Sequence, residues 1–229
     1  MKQWIFCIIK TLLALLLLAV IAAAAAAGVF TYKGYKLYRA AVSEKTVLEM
    51  AEEIRSDEHF VTYDELPEFY VNAVTAVEDR YFEKHSGINY ASIARAFIHD
   101  LKTGSFEQGG STITQQLAKN RFFSQEKTVE RKFAEVFAAY DIERQLSKHE
   151  IFELYVNSIY FGSNYYGIYD ASMGYYGKEP ADLTDYECAV LAGIPNAPSV
   201  YSLGNSPGLA AQRAEQVLDA MADAGYITE

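Results

Sequence analysis

The chain has 229 residues, 51% of them hydrophobic, with 20 Lys and Arg against 30 Asp and Glu and a formal net charge of −10. That length holds one folded domain with an appendage, and the acidic balance argues against nucleic acid, whose binding rests on neutralising phosphates. Cys7 and Cys188 form no CxxC pair and the four histidines no HExxH, so neither a disulfide framework nor a structural zinc site is expected.

The appendage comes first in the chain. Thr11 to Phe30 contains no charged residue and is mostly Leu, Ala, Val and Ile. About 20 apolar residues cross the hydrocarbon core of a bilayer. Trp4 and Phe6 before the run, and Tyr32, Tyr35 and Tyr38 after it, have the placement of interfacial aromatics. A cleaved signal peptide is the alternative, with Lys2 and Lys10 as its basic end and Ala22 to Ala27 as cleavage sites. The run exceeds the roughly 7–15 apolar residues usual for such a segment, which favours an uncleaved anchor. Lys2 and Lys10 lie before the span and Lys33, Lys36 and Arg39 just after it, so charge leaves the orientation open. Beyond the span 18 basic residues face 30 acidic ones, a net −12. The expected organisation is an N-terminal tail (1–10), a transmembrane helix (11–30), a juxtamembrane stalk (31–45) and a folded domain (46–229).

The domain reads as helical. Thr46 to Ile54 is a short amphipathic stretch. Asp64 is the expected N-cap of a helix with Pro67 in its first turn, and Leu66, Tyr70, Ala73, Val74, Val77 and Tyr81 form its apolar stripe. A helix is expected over Tyr90 to Leu101, another from Thr112 to Lys119, and a long one over Thr128 to Leu146. Ser147 with Glu150 reads as a capping box opening a helix through Asn157. A Gly- and Tyr-rich loop follows, then a short helix over Ile168 to Tyr176. Asp182 or Thr184 caps a helix ending near Gly193, and Pro195 and Pro198 mark a loop. Ala210 to Ala224 is the last helix, stopped by Gly225. Alternating strand patterns are scarce, so the fold class is mainly α.

Three motifs bear chemistry. Glu78 lies on the edge of an apolar stripe beside Asp79; partial desolvation and a like charge both raise a carboxyl pKa, as suits a general base near neutral pH. The alternative is an ordinary helix end paired with Arg80 and Lys84. In Gly109-Gly110-Ser111-Thr112-Ile113-Thr114-Gln115-Gln116, hydroxyls and amides gather at a helix N-terminus, where anions are favoured, and Lys119 follows on about the same face as Gln116. No Gly-Lys-Ser/Thr follows, so this is not a Walker loop; a capped polar helix is the plain reading. Arg131 and Lys132 share a helix surface with Glu135, as a stabilising ion pair or as a cationic clamp on a diphosphate. Phe106, Phe122 and Phe123 flank the polar stretch, either as core or as a rim that admits a lipid tail.

Together EDRYFEKHSG, GGSTITQQLAKN, RKFAE and KHEIFELYVN, with the later runs YFGSNYYGIYDASMGYYGK and ECAVLAGIPNAPSVYSL, resemble the family 51 peptidoglycan glycosyltransferases. That family comprises the monofunctional transglycosylases and the N-terminal module of class A penicillin-binding proteins. The resemblance runs from about Leu66 to the C-terminus. It implies a lysozyme-like, mainly helical fold and polymerisation of lipid II, a disaccharide-pentapeptide on undecaprenyl diphosphate, into β-1,4-linked strands with inversion. Glu78 matches the family's general base and Glu135 its second catalytic glutamate, with Lys119, Arg131 and Lys132 near the diphosphate. Asp79, Phe82, His85, Ser111, Thr112, Gln116 and Asn120 match residues that shape or line the site. A divalent cation such as Mg²⁺ is implied by the family alone. The partners implied are lipid II, the growing glycan strand and the membrane, with residues 1–10 cytoplasmic and the domain on the outer face of the cytoplasmic membrane. No Ser-x-x-Lys penicillin-binding module follows, as in a monofunctional enzyme or one module of a longer chain. The rival readings are a wall-cleaving enzyme of the same fold and a non-catalytic assembly scaffold.

Overall fold

A computed structural model describes residues 2–93, 95, 110–124 and 126–228. Among them there is no strand, only an isolated bridge between Tyr160 and Tyr166. The mainly α fold class is therefore the observed one.

Helix α1 (Lys2–Glu44) is the one described helix long and apolar enough to cross a membrane. Its leucines between residues 12 and 18 are more than half exposed, as for a segment with no protein against it. The helix does not stop at the end of the apolar run. Residues 31–44, the expected stalk, continue it for about four turns and dock on the domain. Tyr38 Oη donates to Asp141 at 2.8 Å, and Tyr35 and Tyr38 lie on the Phe137 ring at 5.4 and 6.0 Å.

Helix α2 (Val47–Arg55) opens on a Thr46–Glu49 capping box and buries Val47, Met50, Ala51 and Ile54, the helical spacing read from the sequence. Asp64 is not an N-cap. It lies inside a 3-10 turn, Tyr63–Glu65, closed by Glu65 accepting from the Thr62 N–H at 2.8 Å. Pro67 forces Leu66 to be extended, so the helix restarts only at Glu68. Helix α3 (Glu68–Glu78) then ends earlier than the stripe suggested. Asp79 has φ −155° and ψ 75°, and Tyr81 falls outside, 38% exposed. The chemistry-bearing Glu78 is thus the last residue of a helix.

Of the helix expected from Tyr90 to Leu101, residues 90–93 and 95 are helical; its remainder, Phe106 and Gly109 lie outside the described residues. Helices α4 (Ile113–Phe122), α5 (Val129–Gln145) and α6 (Lys148–Val156) are capped by Thr112, Thr128 and Ser147. Each such cap contributes about 1 kcal/mol. Helix α7 (Ile168–Tyr176) and helix α8 (Asp185–Gly193) follow, with Thr184 rather than Asp182 as the cap of α8. Pro195 lies in a 3-10 turn and Pro198 opens the one-turn helix α9 (Pro198–Tyr201), so the expected loop is partly helical. Helix α10 (Pro207–Ala224) starts three residues before the expected Ala210, with Pro207 in its first turn, and ends at Gly225 in the left-handed conformation.

One core joins these helices. Helix α3 packs on α8 and α10, and α4 packs on α5 and α6. Tyr70, Ile113, Leu117, Phe152 and Tyr155, all buried, link the two groups. Each such large apolar side chain contributes about 1.5–3 kcal/mol by leaving water. Phe122 and Phe123 pack partly buried against this core. Cys188 is a free thiol within it, and burial pushes its pKa up to about 12.

Candidate active site

The end of α3 is sewn to the start of α4. Asp79, 5% exposed, accepts from the Ile113 N–H at 3.1 Å, a carboxylate at a helix N-terminus where the backbone dipole favours it. Its same oxygen accepts from His85 Nε2 at 2.8 Å, while His85 Nδ1 accepts from the Gly87 N–H at 3.1 Å. Gly87 has φ +91°, and a Cβ there would meet the Ala139 carbonyl at 3.1 Å, so the turn requires glycine. Thr112 Oγ1 closes the seam by donating to the Gly87 carbonyl at 2.6 Å.

That seam sets Gln116, one turn into α4, against Glu78. Gln116 Nε2 donates to Glu78 Oε2 at 2.7 Å. Glu78 Oε1 is buried and has no hydrogen-bond partner among the described residues. Burial pushes the Glu78 pKa above its ordinary 4.5; the Gln116 hydrogen bond and the charges of Arg213 and Lys119 restrain that rise, and Asp79 adds to it least. Both causes expected from the sequence, desolvation and the Asp79 charge, act in that direction, with burial the larger.

Glu78 faces a cleft of about 680 Å³. Asp79, Ser111, Thr112, Gln116 and Lys119 line it too. Phe82 and His85 do not. Phe82 is core, 2% exposed, with Lys148 Nζ 4.4 Å from its ring centre. Both shape the turn from behind. Asn120 also lies off the cleft.

The second acid stands apart. Glu135 on α5 is 1% exposed and does not line the cleft. Arg131 Nη1 holds its Oε1, and Lys132 Nζ holds its Oε2 at 2.8 Å. Lys132 also donates to Ser111 Oγ at 2.7 Å, which ties this cluster to the cleft wall. Between the two acids lies Lys119. It makes no hydrogen bond or ion pair among the described residues, and both Glu135 and Glu78 act on it through their charge. Burial lowers its pKa below the ordinary 10.5, with Arg131 and Lys132 lowering it further and Glu135 opposing them.

The sequence reading missed the opposite wall. Arg213 and Gln216 on α10 line the cleft, with Arg213 Nη1 donating to Gln216 Oε1 at 2.9 Å. Arg213 Nε is buried without a partner among the described residues. Asn196, in the turn before α9, lines the same side. The available signal was an arginine beside the small-residue stripe Ala210, Ala214 and Val217 of α10. Lys148 was missed as well: its Nζ donates to the His85 carbonyl and to Glu143, both at 2.7 Å, and Thr114 Oγ1 donates to the same Glu143 oxygen at 2.6 Å. That network clamps the Asp79–Gly87 turn from below.

No group of three or more His, Cys, Asp or Glu able to hold a metal ion occurs among the described residues. Both Glu135 oxygens already face cations. The described residues therefore form no protein cage for the divalent cation the family implies.

A helical domain continuous with a membrane-length helix thus carries, in one polar cleft, a carboxylate with a buried oxygen and a lysine that has no hydrogen bond or ion pair among the described residues. The transglycosylase family model matches residues 44–222, and the chain belongs to that family, the family 51 transglycosylases, whose lysozyme-like domain is the helical fold seen here. It is 47% identical over 169 residues to penicillin-binding protein 1A of Aquifex aeolicus (strain VF5), covering 74% of this chain and 23% of that protein. It is 46% identical over 168 residues to penicillin-binding protein 1F of Bacillus subtilis (strain 168), covering 73% and 24%. With penicillin-binding protein 1A of Neisseria gonorrhoeae it shares 45% over 169 residues, covering 74% and 21%. The matched stretch thus spans about a quarter of the length of these relatives.

Proposed function

We propose that this transglycosylase is a peptidoglycan glycosyltransferase that polymerises lipid II. The acceptor's GlcNAc 4-hydroxyl oxygen attacks C1 of the MurNAc at the end of the growing chain. The C1–O bond to the diphosphate breaks, its electron pair leaves with undecaprenyl diphosphate, and C1 inverts to give the β-1,4 link. Glu78 takes the hydroxyl proton and returns it to solvent. Lys119 meets the charge that develops on the leaving diphosphate, as a fixed cation aimed at a transition-state charge. Glu135 orients Arg131 and Lys132 toward the same group. Asp79 and His85 act behind this chemistry by holding α4 against α3, and Ser111, Thr112 and Gln116 line the path of the sugar.

The observation that supports this reading is that Glu78 Oε1, buried, and Lys119 share one cleft and neither has a hydrogen-bond partner among the described residues. A base needs a free oxygen, and a diphosphate needs a free cation. Helix α1 would cross the membrane with residues 2–10 cytoplasmic and the domain outside, where tethering raises the effective concentration of a lipid-bound substrate.

The test incubates the full chain in vesicles with labelled lipid II and, separately, with finished peptidoglycan. Glycan strands growing from lipid II are expected. Soluble muropeptides released from the finished polymer would replace this reading with a wall-cleaving enzyme, and no product from either would leave a scaffold.

A further inference from the structure

Helix α5 has two working faces. One carries Arg131, Lys132 and Glu135. The other carries Glu130, Phe133, Phe137 and Asp141, and α1 lies on it. The crossing is centred on Gly34. A Cβ at residue 34 would run into Phe133 Cβ and would meet the Glu130 carbonyl oxygen at 2.9 Å and the Ala134 nitrogen at 3.0 Å. Two of these three atoms are backbone and cannot swing aside. Only a residue without a side chain lets the two helices approach this closely.

The flanking contacts fix the sliding position. Lys33 Nζ pairs with Glu130 at 3.2 Å below the crossing, and Tyr38 reaches Asp141 at 2.8 Å above it. Helix α1 is unbroken from the apolar run to these contacts. At 1.5 Å per residue, Gly34 stands about 6 Å beyond Phe30, the last residue of that run. The backbone of residues 130–134, with Arg131 and Lys132 on it, is thereby held at the same height, where polar headgroups begin.

We propose that Gly34 is a positioning residue: by letting α1 cross α5 in backbone contact, it holds Arg131, Lys132 and Glu135 level with the diphosphate of a membrane-bound polyprenyl substrate. This rests on the function proposed above, and two readouts separate the two ideas. Gly34→Ala and Gly34→Leu are made in the full chain and reconstituted in vesicles, with circular dichroism to verify helix content. The first readout is depth. Val129→Trp in a Trp4→Phe background places the only tryptophan at the start of α5, and lipids brominated at shallow or deep positions quench it. A changed shallow-to-deep quenching ratio is expected for Gly34→Leu, with Gly34→Ala intermediate. An unchanged ratio in a folded Gly34→Leu overturns the proposal, whatever the enzyme's activity.

The second readout is kinetic. For Gly34→Leu, KM for lipid II in the bilayer should rise about tenfold, while turnover of a short-tailed, water-soluble analogue stays within about twofold of wild type. Equal losses on both substrates would mean a damaged fold and no positioning role. If the wild type polymerises neither substrate, the proposed function fails and the quenching ratio alone decides the role of Gly34.

Discussion

Glu78 and Glu135 are both withdrawn from water, yet they sit in opposite surroundings. Glu78 has one neutral hydrogen-bond donor, Gln116, and one buried oxygen with no partner among the described residues. Glu135 has a cation on each oxygen. A carboxylate held in the first way is a poor anion and a good proton acceptor; one held in the second way is a fixed anion that organises cations. The difference teaches that burial alone does not assign a role, because the partners of the charge decide it.

The sharpest way to break the comparison is Glu78→Gln. Glycan polymerisation should fall by roughly a thousandfold or more if Glu78 is the base. Stability should not fall. The raised pKa means that the fold favours the protonated form, so the contribution of Glu78 is full below pH 4.5 and is lost as pH rises through the raised value. At about pH 7 the glutamine variant should therefore be at least as stable as wild type in urea melts, with the gap closing in acid. Retained turnover removes Glu78 from the mechanism.

Glu135→Gln should give the other pattern. We expect a loss of roughly a hundredfold in polymerisation, since the cations lose their organiser. A destabilisation of about 3 kcal/mol should accompany it, because the largely buried Arg131 keeps its charge without its partner. A stability change with unaltered turnover would reduce this cluster to an ordinary ion pair.

The pH–rate profile comes next in size. The acid limb should lie above pH 4.5, following Glu78, and the basic limb below pH 10.5, following Lys119. Arg213→Gln should move the acid limb further up, because its charge now favours ionised Glu78. An unmoved limb would leave Arg213 as a wall only. The smallest effect is a control far from the cleft: Thr46→Ala should cost about 1 kcal/mol through the lost cap and leave turnover unchanged.

The sequence exposed most of the helices, because caps such as Ser147 with Glu150 and stripes such as Val47, Met50, Ala51 and Ile54 are local signals. It misjudged Asp64, where Pro67 restarts the helix, and it did not reveal that residues 31–44 dock on the domain. The packing of Tyr35 and Tyr38 on Phe137 joins residues about a hundred positions apart, which no periodicity reveals. The site divided in the same way. Glu78, Gln116, Lys119 and the Arg131–Lys132–Glu135 cluster are legible because helical spacing brings them to one face or they lie in named motifs. Arg213 and Lys148 were not legible, since each reaches the site across the tertiary fold. Phe82 and His85 carry motif positions but act from behind the cleft.

The asymmetry of the two glutamates is tested most directly by binding undecaprenyl diphosphate, the expected leaving group, to the two variants in vesicles. Glu78→Gln should bind it about as tightly as wild type, while Glu135→Gln should bind it about tenfold or more weakly. Weakened binding in Glu78→Gln with unchanged binding in Glu135→Gln would reverse the assignment.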